Sequence, residues 1–274
     1  MKKSILFGIF ALSLSAFAVD NDKIENNQAK KHDFSFSIGG MVGKGSNLYH
    51  VDKGGIGASP VFTADYKGAY LVGTELGYKY DATPKLSITG FTQLFGGITL
   101  QGAGGALGGA QLKGSDMEDG YENINDRKTQ VELGLKLDYQ TDFHGVILSG
   151  EGRGGERGAS GKVSALRPFL ITSKFVIIPE MNFSVLGKNK VNYYFSVNQE
   201  EVDRDKNDKL TKTYDPNEMA YAVGFGFVAK YYITQHFSAV GLFEYQHVSD
   251  EIGDSPIVDT KGNYFTGLGL SYEF

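Results

Sequence analysis

The stretch Tyr264-Phe265-Thr266-Gly267-Leu268-Gly269-Leu270-Ser271-Tyr272-Glu273-Phe274 constrains the fold more than any other part of the chain. Counting back by two from Phe274 gives Tyr272, Leu270, Leu268, Thr266 and Tyr264, a nearly unbroken apolar and aromatic face. The opposite face is Glu273, Ser271, Gly269, Gly267 and Phe265, mostly small or polar. Strict alternation makes a strand that meets two different environments. An aromatic residue closing such a strand is typical of outer-membrane β-barrels, where one face meets lipid and the other lines a closed lumen. Tyr264, Leu268, Leu270, Tyr272 and Phe274 are therefore expected to anchor the barrel in lipid. They also form the assembly signal for the barrel-assembly machinery.

The first residues agree. Met1-Lys2-Lys3 is a basic start, Ile5 to Phe17 is apolar, and Ala16-Phe17-Ala18 is a small-x-small cleavage site. Residues 1–18 read as a signal peptide, 19–33 as a polar periplasmic arm and 34–274 as the barrel. The apolar run is too short to cross a bilayer as a helix. The expected location is the outer membrane of a Gram-negative-type envelope, crossed many times. The chain has no Cys, 37 Gly, 16 Tyr and 19 Phe. Zero Cys excludes disulfide staples and thiolate metal sites. A mean hydropathy of −0.23 is no obstacle, since only alternate residues need be apolar. The net charge is −5, which disfavours a general affinity for nucleic acid.

Eleven segments alternate: 34–43, 58–66, 69–80, 85–96, 129–139, 143–153, 162–172, 175–187, 219–233, 237–247 and 262–274. In 69–80, for example, Tyr70, Val72, Leu76, Tyr78 and Tyr80 oppose Gly73, Glu75, Gly77 and Lys79. Charges sit opposite the aromatics, and a charge facing lipid at mid-membrane costs about 2–4 kcal/mol. Glu75, Lys79, Glu132, Lys136, Asp138, Lys230 and Glu244 are thus expected to line the lumen. An even strand count is needed. Pro60 demotes 58–66, which leaves an all-β antiparallel barrel of ten strands, with twelve as the alternative.

Short links at 81–85, 141–144, 172–175 and 234–237 read as periplasmic turns. The longer segments 98–128, 199–217 and 248–261, with a Gly-rich one at 152–161, read as external loops. Gly155 to Lys162 lacks phosphate-loop spacing, and the five His are too scattered for a metal site. No cofactor is implied. The acidic clusters Asp116, Glu118, Asp119, Glu122 and Asp203, Asp205, Asp208 read as solvated loops, with cation or lipopolysaccharide bridging as the rival. His247 and Ser249 resemble the pair of lipid A deacylases, against the plainer reading of a polar strand end.

Several stretches together resemble the MipA/OmpV family of MltA-interacting outer-membrane proteins. They are Asp126-Arg127-Lys128, Val191 to Val197, Tyr214-Asp215-Pro216-Asn217, Val248 to Val258 and Asp81 to Thr89. The Gly-rich segment 96–114 departs from that pattern. The resemblance implies a non-enzymatic barrel that scaffolds a lytic murein transglycosylase and a murein synthase. Outer-membrane lipid and lipopolysaccharide would surround it. A narrow porin-like channel or surface adhesin is the alternative, and a lipid A-modifying enzyme using His247 and Ser249 the remote one. No catalytic residue is carried over.

Overall fold

The computed structural model describes residues 34–51, 56–97, 111–205 and 209–274. The expected signal peptide and arm, and most of the Gly-rich segment, lie outside the described residues.

Thirteen strand segments form one antiparallel sheet. They are β1 (Phe34–Gly45), β2 (Ile56–Tyr66), β3 (Ala69–Val72), β4 (Glu75–Thr83), β5 (Leu86–Gly96), β6 (Gln130–Gln140), β7 (Ile147–Gly155), β8 (Gly158–Leu166), β9 (Phe169–Thr172), β10 (Phe175–Leu186), β11 (Ala220–Tyr232), β12 (Phe237–Val248) and β13 (Gly262–Glu273). Each pairs with the next around the ring, β8 and β9 both pair with β10, and β1 pairs with β13. β9 continues the register of β8 on β10 through Ile177↔Phe169 and Val176↔Leu170, with a bulge only at Phe175, so the two are a single strand. The barrel is therefore closed and has twelve strands.

Ten strands, the preferred expectation, is corrected to twelve. Segment 58–66 is a full wall strand, in register with β1 from Phe34↔Tyr66 to Lys44↔Ile56. Segment 69–80 is two strands rather than one, because Gly73-Thr74 turns the chain back on itself. The expected external loop at 152–161 is instead a tight hairpin, turning at Glu156-Arg157 between β7 and β8.

The prolines explain how these strands survive. A proline removes one ladder donor. Gly73 donates its N–H to the Phe62 carbonyl, so the even positions of β2 point away from β1. Pro60 shares that parity, and β3 pairs with β2 only over residues 63–66. The missing donor thus falls on an edge with no partner strand. Pro179 stands opposite Arg167, where the ladder is interrupted between β8 and β9. Sequence pattern alone does not reveal which way a proline's missing N–H points.

The outer face is apolar, with Leu133, Met181 and Leu268 about two-thirds exposed. The inner face is mostly buried and mixed in character. β1 begins and β13 ends at the end that carries the short turns. Among these, Lys67-Gly68 makes a two-residue hairpin with both residues at positive φ, as a type I′ turn requires. Chain segments at the other end fold into a cap. It contains α1 (Lys188–Phe195), α2 (Gln199–Arg204) and α3 (Asp250–Gly253). The short turns thus gather at one end of the barrel and the cap at the other.

Candidate functional site

The cap has its own hydrophobic core. Leu48 and Tyr49 after β1, Ile124 before β6, Val191, Tyr194 and Phe195 on α1, and Ile252 and Ile257 around α3 are all buried together. Strand-like bridges tie its segments: Tyr49↔Val258, Val51↔Met117, Leu112↔Arg127 and Val197↔Tyr214. Burial pushes the Tyr49 phenol above its ordinary value. Arg127 is the polar centre. Its guanidinium donates to Glu201 at 2.9 Å, to the Ser196 carbonyl at 2.8 Å and to the Asn125 carbonyl at 2.9 Å. Glu201 also closes a capping box with Asn198, which starts α2. Four of the stretches that carry the family resemblance (126–128, 191–197, 214–217 and 248–258) meet in this cap. Pairwise patterning along strands gives no sign of that convergence. The scattered apolar residues within the loops were the available signal.

Below the cap, α1 closes the mouth of the barrel. Lys190 is fully buried and donates to Glu132 of β6 at 2.6 Å and to Ser160 of β8 at 3.0 Å. Burial drives the Lys190 ammonium below its usual value, against the pull of Glu132. Arg153 lies 3.7 Å from Glu132 and 3.2 Å from Glu151, and Lys162 lies 3.0 Å from Glu180. A belt of buried charge thus runs around β6, β7, β8 and β10. Toward the turn end the opposite side of the lumen is apolar. Met41, Val61, Val72, Val176, Ile178, Val228, Val240 and Leu242 form one cluster, with Tyr70 and Phe265 packed against it.

The seven expected lumen residues all sit on inward-facing strand positions. Glu132, Lys230 and Glu244 are buried. Lys136 and Asp138 pair at 3.5 Å, and Ser149 donates to Asp138 at 2.7 Å. Glu75 accepts from the Tyr70 hydroxyl at 2.8 Å, and Lys79 is near Asp81 at the open turn end. Sequence reading missed Arg153, Lys162 and Glu180, which complete the belt. They lie in strands whose small residues and prolines mask the alternation. Tyr264, Leu268, Leu270, Tyr272 and Phe274 are exposed on the outer face, and Tyr272 packs against Phe274 at 4.9 Å between ring centroids.

His247 and Ser249 do not form a pair. His247 is exposed, while Ser249 is buried and its Oγ accepts from the Tyr221 N–H at 3.1 Å. Ser249 begins α3 and has a structural role. Among the described residues no cluster of three or more His, Cys, Asp or Glu is arranged to hold a metal ion. In the acidic loops, Glu118 lies 3.5 Å from His50, and Glu122 accepts from the Gly120 N–H.

A closed, capped wall with an apolar outside and a mostly buried inner face defines an outer-membrane β-barrel. Residues 38–274 match the family of MltA-interacting protein MipA, and the chain belongs to that family. It is similar to the 24 kDa outer membrane protein of Pasteurella multocida (strain Pm70), at 29% identity over 97% of this chain and 96% of the relative. It is also similar to MltA-interacting protein of Escherichia coli (strain K12), at 24% identity over 87% and 90% of the two chains. An outer membrane channel of Pseudomonas putida F1 aligns at a TM-score of 0.43 and 9% identity, covering 91% of this chain and 100% of the channel. The protein is thus a multi-pass barrel of the outer membrane.

Proposed function

We propose that the protein is a non-enzymatic interaction protein that presents its turn end to murein-remodelling enzymes, a lytic transglycosylase foremost. One observation carries this reading: the barrel is closed at its upper mouth. The cap core and the Lys190–Glu132 pair close that mouth. An apolar cluster of buried residues packs along the wall nearer the turns. A twelve-strand barrel closed in this way offers a diffusing solute little passage. This speaks against the narrow channel. The separated His247 and Ser249 speak against lipid A chemistry. The name of the Escherichia coli relative supplies the partner class.

The contact surface would be the short turns. Phe143, 71% exposed, stands there as an apolar anchor beside His144, and Lys85 pairs with Asp142 on the neighbouring turn. An exposed aromatic ringed by polar groups is the usual make-up of a binding hot spot. The expected arm at 19–33 would add to it. Lipid, lipopolysaccharide and the assembly machinery are the remaining partners. The test has two parts. In planar bilayers the purified protein should give no steady conductance. Phe143→Ser with Lys85→Glu should weaken capture of a purified murein transglycosylase while the barrel still folds. Stable open-channel currents, or capture indifferent to the turns, would overturn the proposal. Loss of a deacylated lipid A species in Ser249→Ala would restore the enzymatic reading.

A further inference from the structure

The belt of buried charge ends one cation short. At the level of the belt, from β6 to β12, the carboxylates are Glu132, Glu151, Glu180 and Glu244, and the cations are Lys190, Arg153 and Lys162. The other inward charges of these strands lie nearer the turns, where Lys136 pairs with Asp138 and Lys230 sits over the Tyr232 ring. Each cation is held by a carboxylate: Lys190 by Glu132, Arg153 by Glu151 and Lys162 by Glu180. Glu244 is the carboxylate left over. It is 6% exposed, its Oε2 is buried with no hydrogen bond reaching it, and among the described residues no ion pair reaches Glu244. An isolated buried carboxylate costs several kcal/mol, so this one needs a positive charge or a proton.

Its surroundings supply oxygen ligands. In the register of β10, β11 and β12, Glu180 faces Gly226, which faces Glu244. One level up, Asn182 faces Gly224, which faces Gln246. The two glycines put no side chain between these polar groups of β10 and those of β12. Asn182 Oδ1 lies only 2.8 Å from where a Cβ of Gly224 would be. Gln246 is 3% exposed, and its Oε1 is a second buried acceptor without a hydrogen bond. Two free acceptors on one inward face, two residues apart, next to a second carboxylate, suit a hard cation that takes oxygen ligands.

We propose that the lumen binds one monovalent alkali cation at Glu244 and Gln246, with the Glu180 carboxylate and the Asn182 amide oxygen beside it. The charge selects the ion. Four carboxylates against three cations leave the belt at −1, which one sodium ion balances and a divalent ion would overshoot.

The test refolds the full chain into detergent micelles in sodium chloride or in choline chloride at equal ionic strength. Refolding in each salt avoids slow exchange through the packed lumen. Sodium should raise the unfolding midpoint in a saturable way, by about 5 °C at one hundred times the half-saturating concentration. Glu244→Gln should fold and lose that dependence. Gln246→Leu should raise the half-saturating sodium concentration about ten-fold, since one ligand to a charge is removed. Equal midpoints in the two salts for the wild type would overturn the proposal, as would an undiminished sodium effect in Glu244→Gln. A protonated carboxyl in the infrared spectrum at neutral pH, absent from Glu244→Gln, would also overturn it. It would assign the charge balance to a proton.

Discussion

The wall from β10 through β13 to β1 and the wall from β2 through β4 are built by different rules. In the first, strands of about a dozen residues run in unbroken register, such as Ala222↔Val248 through Tyr232↔Ser238 between β11 and β12. In the second, β3 is four residues long and β2 stands above it without a neighbour on that side. The second wall makes up the loss with side chains. The Tyr70 ring leans over Gly77 so closely that a Cβ there would lie 2.6 Å from it, and its hydroxyl reaches Glu75. A continuous wall is held by its ladder. An interrupted one is held by particular residues.

The largest expected contrast is a charge in lipid. Leu268→Arg, in mid-strand on the continuous wall, should cost about 2–4 kcal/mol of folding free energy. Leu71→Arg, on a strand beside the turn end, should cost about 0–1 kcal/mol. Reversible unfolding in vesicles checks both, and equal losses would erase the distinction. Proline parity comes next. Gly57 points its N–H at β1, so Gly57→Pro should cost about 3 kcal/mol. Ala58 points at the open edge, so Ala58→Pro should be nearly neutral, and the same titration reads it. Glycine replacement follows. Gly77→Ala should cost about 1–3 kcal/mol by overpacking Tyr70, and Tyr70→Leu should relieve it. Gly40→Ala, on the outer face with nothing within 4 Å, should stay within about 0.5 kcal/mol.

The smallest effect belongs to the cap and should leave both walls untouched. Lys261 hydrogen-bonds Asp250 at 2.7 Å and holds its carboxyl below the ordinary 3.8. The support of that pair is therefore complete above pH 3.8 and fades as pH falls through the lower folded value. Protection of the Asp254 amide, which donates to the Asp250 carbonyl, measured against the intrinsic exchange rate at each pH, should fall in acid in the wild type. Lys261→Met should show the low protection at every pH.

The continuous wall was legible because lipid outside and protein inside write themselves into alternate residues. Val131, Leu133, Leu135, Leu137 and Tyr139 could face only outward. The interrupted wall was not legible. Tyr70, Val72, Leu76 and Tyr78 keep an unbroken period of two, yet the turn at Gly73-Thr74 puts the first two inside and the last two outside. Alternation fixes relative faces only while the chain keeps going. The charge belt was half legible. Glu132 stands between Val131 and Leu133 and Glu244 between Phe243 and Tyr245, but Arg153 and Lys162 stand among glycines and serines. The cap was hidden, since its core joins residues from five segments with no shared period.

The ring closes between β1 and β13 through a nine-residue ladder, Ser37↔Glu273 to Gly45↔Phe265. β3 is stitched to each neighbour over only four residues. The joint between the chain's most distant strands is thus longer than either joint that β3 makes with the strands next to it in sequence. If the cylinder were pulled apart sideways in the bilayer, it would tear first beside β3. The terminal seam would outlast both of those joints.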